Sequence, residues 1–209
     1  MKKKTIAMLM ASIMLFGVVT GSTLAWLTAK SADVVNTFTV GDINIVLDEA
    51  PLNEKGELDK TASRVTSIDD YKMIPGVTLP KDPQVRVLAD SEDCYLFVKI
   101  TESSNYDDFM TYEVMAEWTL LKEENNSAIY YREAKANDAF YVLKDNQVVV
   151  KDEVTKAQLD ALDGLNDKGE ADQAEEKARP TLTFTAYAIQ KNNLKTSDMN
   201  EIWTLASAN

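Results

Sequence analysis

Four doublets of identical acids, Asp69-Asp70, Asp107-Asp108, Glu123-Glu124 and Glu175-Glu176, are the residues of this chain whose types and spacing suggest chemistry. Paired carboxylates serve glycoside hydrolysis as acid and base, or surround Ca²⁺ with oxygen ligands. Each pair falls in a stretch that reads as turn or loop. None has the EF-hand spacing, with its glycine and closing glutamate. Their ordinary reading is solvated surface charge, with weak Ca²⁺ binding as the functional alternative. No catalytic, cofactor-binding or metal-ligating residue is assigned. The sequence contains no histidine. That removes His-based general bases, Ser-His-Asp and Cys-His nucleophile systems, and every His-containing zinc site. There is no Gly-rich phosphate loop. Adjacent Tyr130 and Tyr131 must point to opposite faces of a strand, a thin hint of a carbohydrate-binding surface.

Cys94 is the only cysteine. One thiol makes no internal disulfide, so the fold must rest on its core. Cys94 opens the apolar run Cys94 to Val98 and reads as a small buried hydrophobe.

The elements that must position these groups are mostly strands. Val34, Phe38 and Val40 share one face of a segment ended by Gly41-Asp42, and Ile43, Ile45 and Leu47 share one face of the next, with Asn44 and Asp48 opposite. This is the period of two of a half-buried strand. Ala50 to Asp70 is polar and reads as a loop. Met73 to Val77 ends in a Pro-Gly turn. Pro80 and Pro83 place the following piece at a sheet edge, since proline donates nothing to a central ladder. Val85, Val87 and Ala89 alternate, as do Leu96, Val98 and Ile100, and again Tyr112, Val114, Ala116 and Trp118. Ile129 to Arg132, Phe140 to Leu143 and Val148 to Val150 read as shorter strands, the last two joined as a hairpin at Asp145-Asn146. Leu182, Phe184, Ala186 and Ala188 lie on one side of a long strand opened by Pro180. Two helices are expected. One runs from Lys156 to Leu162 behind a Thr155/Gln158 capping box, with Gly164 as its stop; the other runs from Met199 to Ala206 behind Asp198. Asn166 to Arg179 is acidic and without an apolar face, an exposed loop. Many short strands with no βαβ alternation predict an all-β protein, an antiparallel β-sandwich with one or two short helices.

The first 49 residues read as an export signal running into strands. Lys2, Lys3 and Lys4 precede the apolar run Thr5 to Val19. That run is shorter than the roughly 20 residues of a membrane-spanning helix. Thr23-Leu24-Ala25 supplies small residues for a signal peptidase, so cleavage is expected between Ala25 and Trp26. Residues 1–25 are then the signal, and 26–209 one β-sandwich domain with an N-terminal arm (26–40) and an acidic loop (166–179). The whole chain carries −12 and the first 25 residues contribute +3, so the remainder carries −15. A chain this acidic, without a basic cluster, argues against nucleic acid as a partner.

The block Leu24-Ala25-Trp26-Leu27-Thr28 followed by Asn36 to Ile43 resembles the camelysin/TasA family of exported proteins of Gram-positive bacteria. Ile74-Pro75-Gly76, Tyr95 to Lys99 and Phe184 to Gln190 resemble its later blocks, in order, over most of the chain. The resemblance implies a jelly roll, processing by a dedicated signal peptidase, and secretion to the cell surface or extracellular matrix. It also implies assembly into biofilm-matrix fibres, with further matrix or fibre-anchoring proteins as partners. In such fibres an N-terminal strand completes the sheet of the next subunit. The donor-strand residues are then Trp26, Leu27, Val34, Val35, Phe38 and Val40, with Trp26 to Ser31 as the mobile donor; the alternative is that Val34 to Val40 pairs within its own sandwich. The family also carries a metallopeptidase label, from which this chain departs in having no His-Glu-x-x-His. A camelysin-like secreted peptidase and a monomeric cell-surface adhesin or binding module are the competing readings.

Overall fold

A computed structural model of the chain describes residues 28–31, 43–68, 71–163 and 179–208. Two layers of antiparallel strands are built from eleven strands among these residues. The first layer is a five-stranded sheet in the order β1-β11-β5-β8-β7. Its strands are β1 (Thr28–Ser31), β11 (Leu182–Gln190), β5 (Cys94–Glu102), β8 (Ser127–Ala134) and β7 (Thr119–Glu124). The second layer holds two three-stranded sheets. One is β2 (Ile45–Asp48), β4 (Gln84–Val87) and β9 (Ala139–Tyr141); the other is β3 (Thr78–Pro80), β10 (Gln147–Val150) and β6 (Met110–Thr111). β3 runs into β4 through Lys81-Asp82-Pro83, and β9 into β10 through a 3₁₀ turn at Lys144–Asn146. Backbone bonds from Lys81 to Asn146 (2.8 Å) and Val142 to Pro83 (2.9 Å) hold the two halves together. The fold is the all-β antiparallel sandwich expected from the alternating segments.

The inner face of the five-stranded sheet presents Leu96, Val98, Ile100, Phe184, Ala186 and Ala188. Ile45, Val85, Val87, Val148 and Val150 of the second layer pack against it. The outer face is also buried. Phe97, Ile129, Tyr187 and Ile189 lie under a C-terminal helix, α3 (Met199–Ser207), through Ile202, Trp203 and Ala206. The Trp203 ring meets Tyr187 edge-on at 5.0 Å and Phe97 at 5.5 Å. Asp198 caps α3, its carboxylate accepting the Asn200 N–H at 2.8 Å. Helix α2 (Lys156–Leu162) begins with the full capping box: Thr155 Oγ1 accepts from the Gln158 backbone, and Gln158 Oε1 accepts the Thr155 N–H. A four-residue helix, α1 (Tyr106–Phe109), follows β5.

Two local expectations change, and one strand is added. Tyr112 to Trp118 is no strand beyond β6 and one bridge from Val114 to Leu143. The Trp118 N–H turns back to the Met115 carbonyl at 3.0 Å, and the indole N–H reaches the Tyr141 carbonyl at 2.9 Å. The alternation there reflects the burial of Trp118, with a turn and not a ladder beneath it. The strands flanking Asp145-Asn146 form no hairpin, because β9 pairs with β4 while β10 pairs with β3 and β6. Both residues do have positive φ, so the tight turn is real, but it passes the chain between sheets. β7 is not legible in the sequence: its polar Lys122-Glu123-Glu124 end hides the pattern. The Pro75-Gly76 turn forms as read, with φ +74° at Gly76 and the Val77 N–H on the Ile74 carbonyl.

Cys94 is fully buried at the start of β5. Burial, with minor contributions from Asp93 and Asp138, pushes its thiol up to about 12. The thiolate is the reactive form. We therefore expect native protein to be inert to a thiol reagent at pH 8 and to release one equivalent only when unfolded in denaturant. Rapid labelling of the folded protein would contradict this burial.

Candidate functional site

The most built-up place in the molecule is a cavity of about 630 Å³ where the two layers part. β2 ends at Asp48, and beyond it no described strand covers the outer edge of β3. On the facing layer, β5 pairs with all of β11, but β1 covers β11 only from Ala186 to Ile189. The edge of β11 from Leu182 to Thr185 is thus without a described strand partner. The cavity lies between these two incomplete edges, with Leu79 on one wall and Leu182 to Phe184 on the other. Thr66 to Ile68 and Tyr71 line it as well.

Beside it sits a buried ionic network. Asp48 and Glu49 are 7% exposed, Lys81 8% and Asp82 0%. Arg64 reaches in from the 50–70 loop. Its Nε meets Asp48 Oδ1 at 2.5 Å and its Nη1 meets Asp82 Oδ2 at 3.2 Å. Its Nη2 donates to the backbone carbonyls of Asp48 (3.0 Å) and Asp82 (2.9 Å). Asp82 Oδ1 accepts the Ala50 N–H at 2.7 Å, and Arg86 closes on the second oxygen of Asp48. Lys81 Nζ bonds both oxygens of Glu49, at 3.0 and 3.1 Å. Its ammonium lies 5.4 Å from the Tyr71 ring centre and 5.7 Å from that of Phe184, within cation–π range. Three acids face three bases, which is how buried charge is tolerated. Burial works against the Arg64 charge. The hydrogen bond to Asp48 and the attraction of Asp82 outweigh it and raise the pKa.

Chemically the arrangement holds and shapes; every carboxylate in it is already engaged by a base. The network also latches the 50–70 loop: Arg64 is its anchor, and Glu49 and Val65 exchange backbone bonds at 2.8 Å. None of these six residues stood out in the sequence. The alternation puts Asp48 on the polar face of β2, and it is buried because Arg64 and Arg86 meet it there. The weak signal available was a pair of charged dipeptides, Asp48-Glu49 and Lys81-Asp82, each at the end of an alternating segment.

The acidic pairs do not converge. Asp107-Asp108 is exposed on α1 and Glu123-Glu124 is exposed on β7. Asp69-Asp70 and Glu175-Glu176 lie outside the described residues. Among the described residues no group of three or more His, Cys, Asp or Glu has the geometry of a metal site. Of the N-terminal arm, Thr28–Ser31 form β1, paired in cis with β11. Ala25, Trp26, Leu27, Val34, Val35, Phe38 and Val40 lie outside the described residues, as does nearly all of the acidic loop. Tyr130 and Tyr131 are both half-buried on β8.

Burial raises the pKa of Tyr71, Tyr106 and Tyr112. Nearby carboxylates add to this, and at Tyr112 so does a 2.8 Å hydrogen bond to Glu102. A phenol whose folded pKa lies above its unfolded value near 10 stabilises the fold below pH 10, and that contribution is lost as the pH rises further. We expect tyrosinate absorbance to lag that of free tyrosine, then rise together with unfolding. Ionisation of all eight tyrosines near pH 10 in a still-folded chain would contradict the burial.

No protein-family model, no curated protein and no solved structure matches the chain.

Proposed function

We propose that the chain is an exported structural protein that assembles head to tail into extracellular matrix fibres. Its N-terminal strand leaves its own sheet edge and completes that of the next copy. The observation that carries this reading is the place of β1: an edge strand of four residues, antiparallel to β11, next to a stretch of β11 with no described partner. Sheet edges expose unpaired N–H and C=O groups and accept added strands. Exchange between copies conserves the β1–β11 pairing, so it costs little beyond association. If the register of β1 continued, residues 32–35 of an incoming arm would lie opposite Thr185 to Leu182, the uncovered edge beside the cavity. Such a contact uses different surfaces on the two copies, so it propagates instead of closing. The resemblance to the camelysin/TasA family, with its jelly roll and donor-strand fibres, supports the same reading.

Copies carrying about −15 each repel one another, so salt should speed assembly; screening shortens the Debye length to about 10 Å at 0.1 M. Deleting Trp26 to Ala32 from the form that begins at Trp26 should leave a folded monomer that neither elongates nor seeds, by light scattering and negative-stain microscopy. Fibres of unchanged morphology and rate from the deleted protein would refute the strand-exchange reading.

A further inference from the structure

We propose that the cavity between β3 and β11 is a binding site for a small amphiphilic carboxylate, a molecule with an apolar body and one anionic end. This stands apart from the fibre reading. At about 630 Å³ the cavity falls within the range of small-molecule sites. Leu47, Leu79, Met110, Val148 and Phe184 make its lining largely apolar, which suits an aliphatic or aromatic body.

The polar groups fix the other end of the ligand. Tyr71 and Tyr106 both line the cavity, and each has a buried hydroxyl with no hydrogen-bond partner among the described residues. Tyr106 as a whole is 2% exposed. An ammonium has three N–H donors, and among the described residues Lys81 spends two of them, both on Glu49. The carboxylates on the lining are spent: Asp48 is held by Arg64 and Arg86, and Glu49 by Lys81. Unused donors beside committed acceptors call for a ligand that brings acceptor oxygens. The Lys81 N–H left over from Glu49 and the Arg179 guanidinium, which also lines the cavity, favour an anion among such ligands. A carboxylate can accept from Lys81 and from a tyrosine hydroxyl together, and its chain then lies along Leu79 and Phe184. A sugar or a free phosphate would leave the apolar wall without a partner.

The test is calorimetric titration of the purified chain with decanoate, below its micelle concentration, with decanol as the uncharged control. Saturable 1:1 binding of decanoate is expected, with decanol weaker. Tyr106→Phe removes one donor and keeps the ring. It should weaken decanoate binding about tenfold, the usual effect of losing a hydrogen bond to a charged group. Leu182→Trp, at a half-buried wall position, should fill the cavity and abolish binding while the circular dichroism stays native. No saturable binding by the wild type overturns the proposal. So does binding that neither variant alters, which would mark adsorption elsewhere, and so does equal affinity for decanol.

Discussion

Joining β1 to β11 by a disulfide between Ala29→Cys and Ala188→Cys is expected to abolish fibre growth, and reduction to restore it. Residues 29 and 188 are register partners. Directly opposed residues of antiparallel strands have Cα atoms about 4.5–5.5 Å apart, inside the range a disulfide spans. Cys94→Ala in the same background keeps the pairing unambiguous, since Cys94 lies on β5, the strand paired with β11. The locked chain keeps its own strand, so it has no arm to donate and no edge to offer. The effect should be close to all-or-none, where screening or surface-charge changes only tune the rate. Fibres that grow from the oxidised form as from the reduced one would show that β1 need not move.

The largest effect on the folded monomer should come from Arg64→Ala. Arg64 makes two ion pairs and two backbone bonds, and among the described residues it is the only charged partner of Asp82, which is fully buried. Asp48 keeps Arg86 after the change; Asp82 keeps the Ala50 N–H alone. Removing one side of a buried pair costs about 3–5 kcal/mol, because the remaining charge stays desolvated. The Arg64 side chain is 19% exposed, so water can enter and the lower end of that range applies. A urea titration should show a loss of about 3 kcal/mol, with the 50–70 loop opened to proteolysis. A loss under about 1 kcal/mol, the worth of a surface pair, would mean the network is hydrated and holds nothing.

How far the sequence foretold this molecule varies from element to element. Leu96, Val98 and Ile100 were readable as one face of a buried strand because period two survives wherever a sheet has a core on one side. The burial of Phe97 and Tyr187 on the opposite face was not readable from the strands. It follows from α3 folding back over the sheet, and its stripe of Ile202, Trp203 and Ala206 announces an apolar partner without naming it. Thr155 and Gln158 were legible as a helix start because a capping box is complete within four residues. The ionic network was not, because its pairs are separated by 16 residues (Arg64 and Asp48), 18 (Arg64 and Asp82) and 32 (Lys81 and Glu49). At those separations nothing local distinguishes a buried charge from a solvated one. The doublets of identical acids are exposed where the structure describes them, and the cavity is lined by residues from separate parts of the chain.

The claim that one copy's β1 lies on another copy's β11 is tested most directly by a cross-link between copies. Fibres would be grown from an equimolar mixture of two single variants, Ala29→Cys and Ala188→Cys, both carrying Cys94→Ala, then oxidised and run on a non-reducing gel. Neither variant can form this bond within itself. The account predicts a disulfide-linked dimer containing one of each variant, present in fibres and absent from the unassembled mixture. Fibres that yield only monomer after oxidation would contradict it and place the growing contact on another surface.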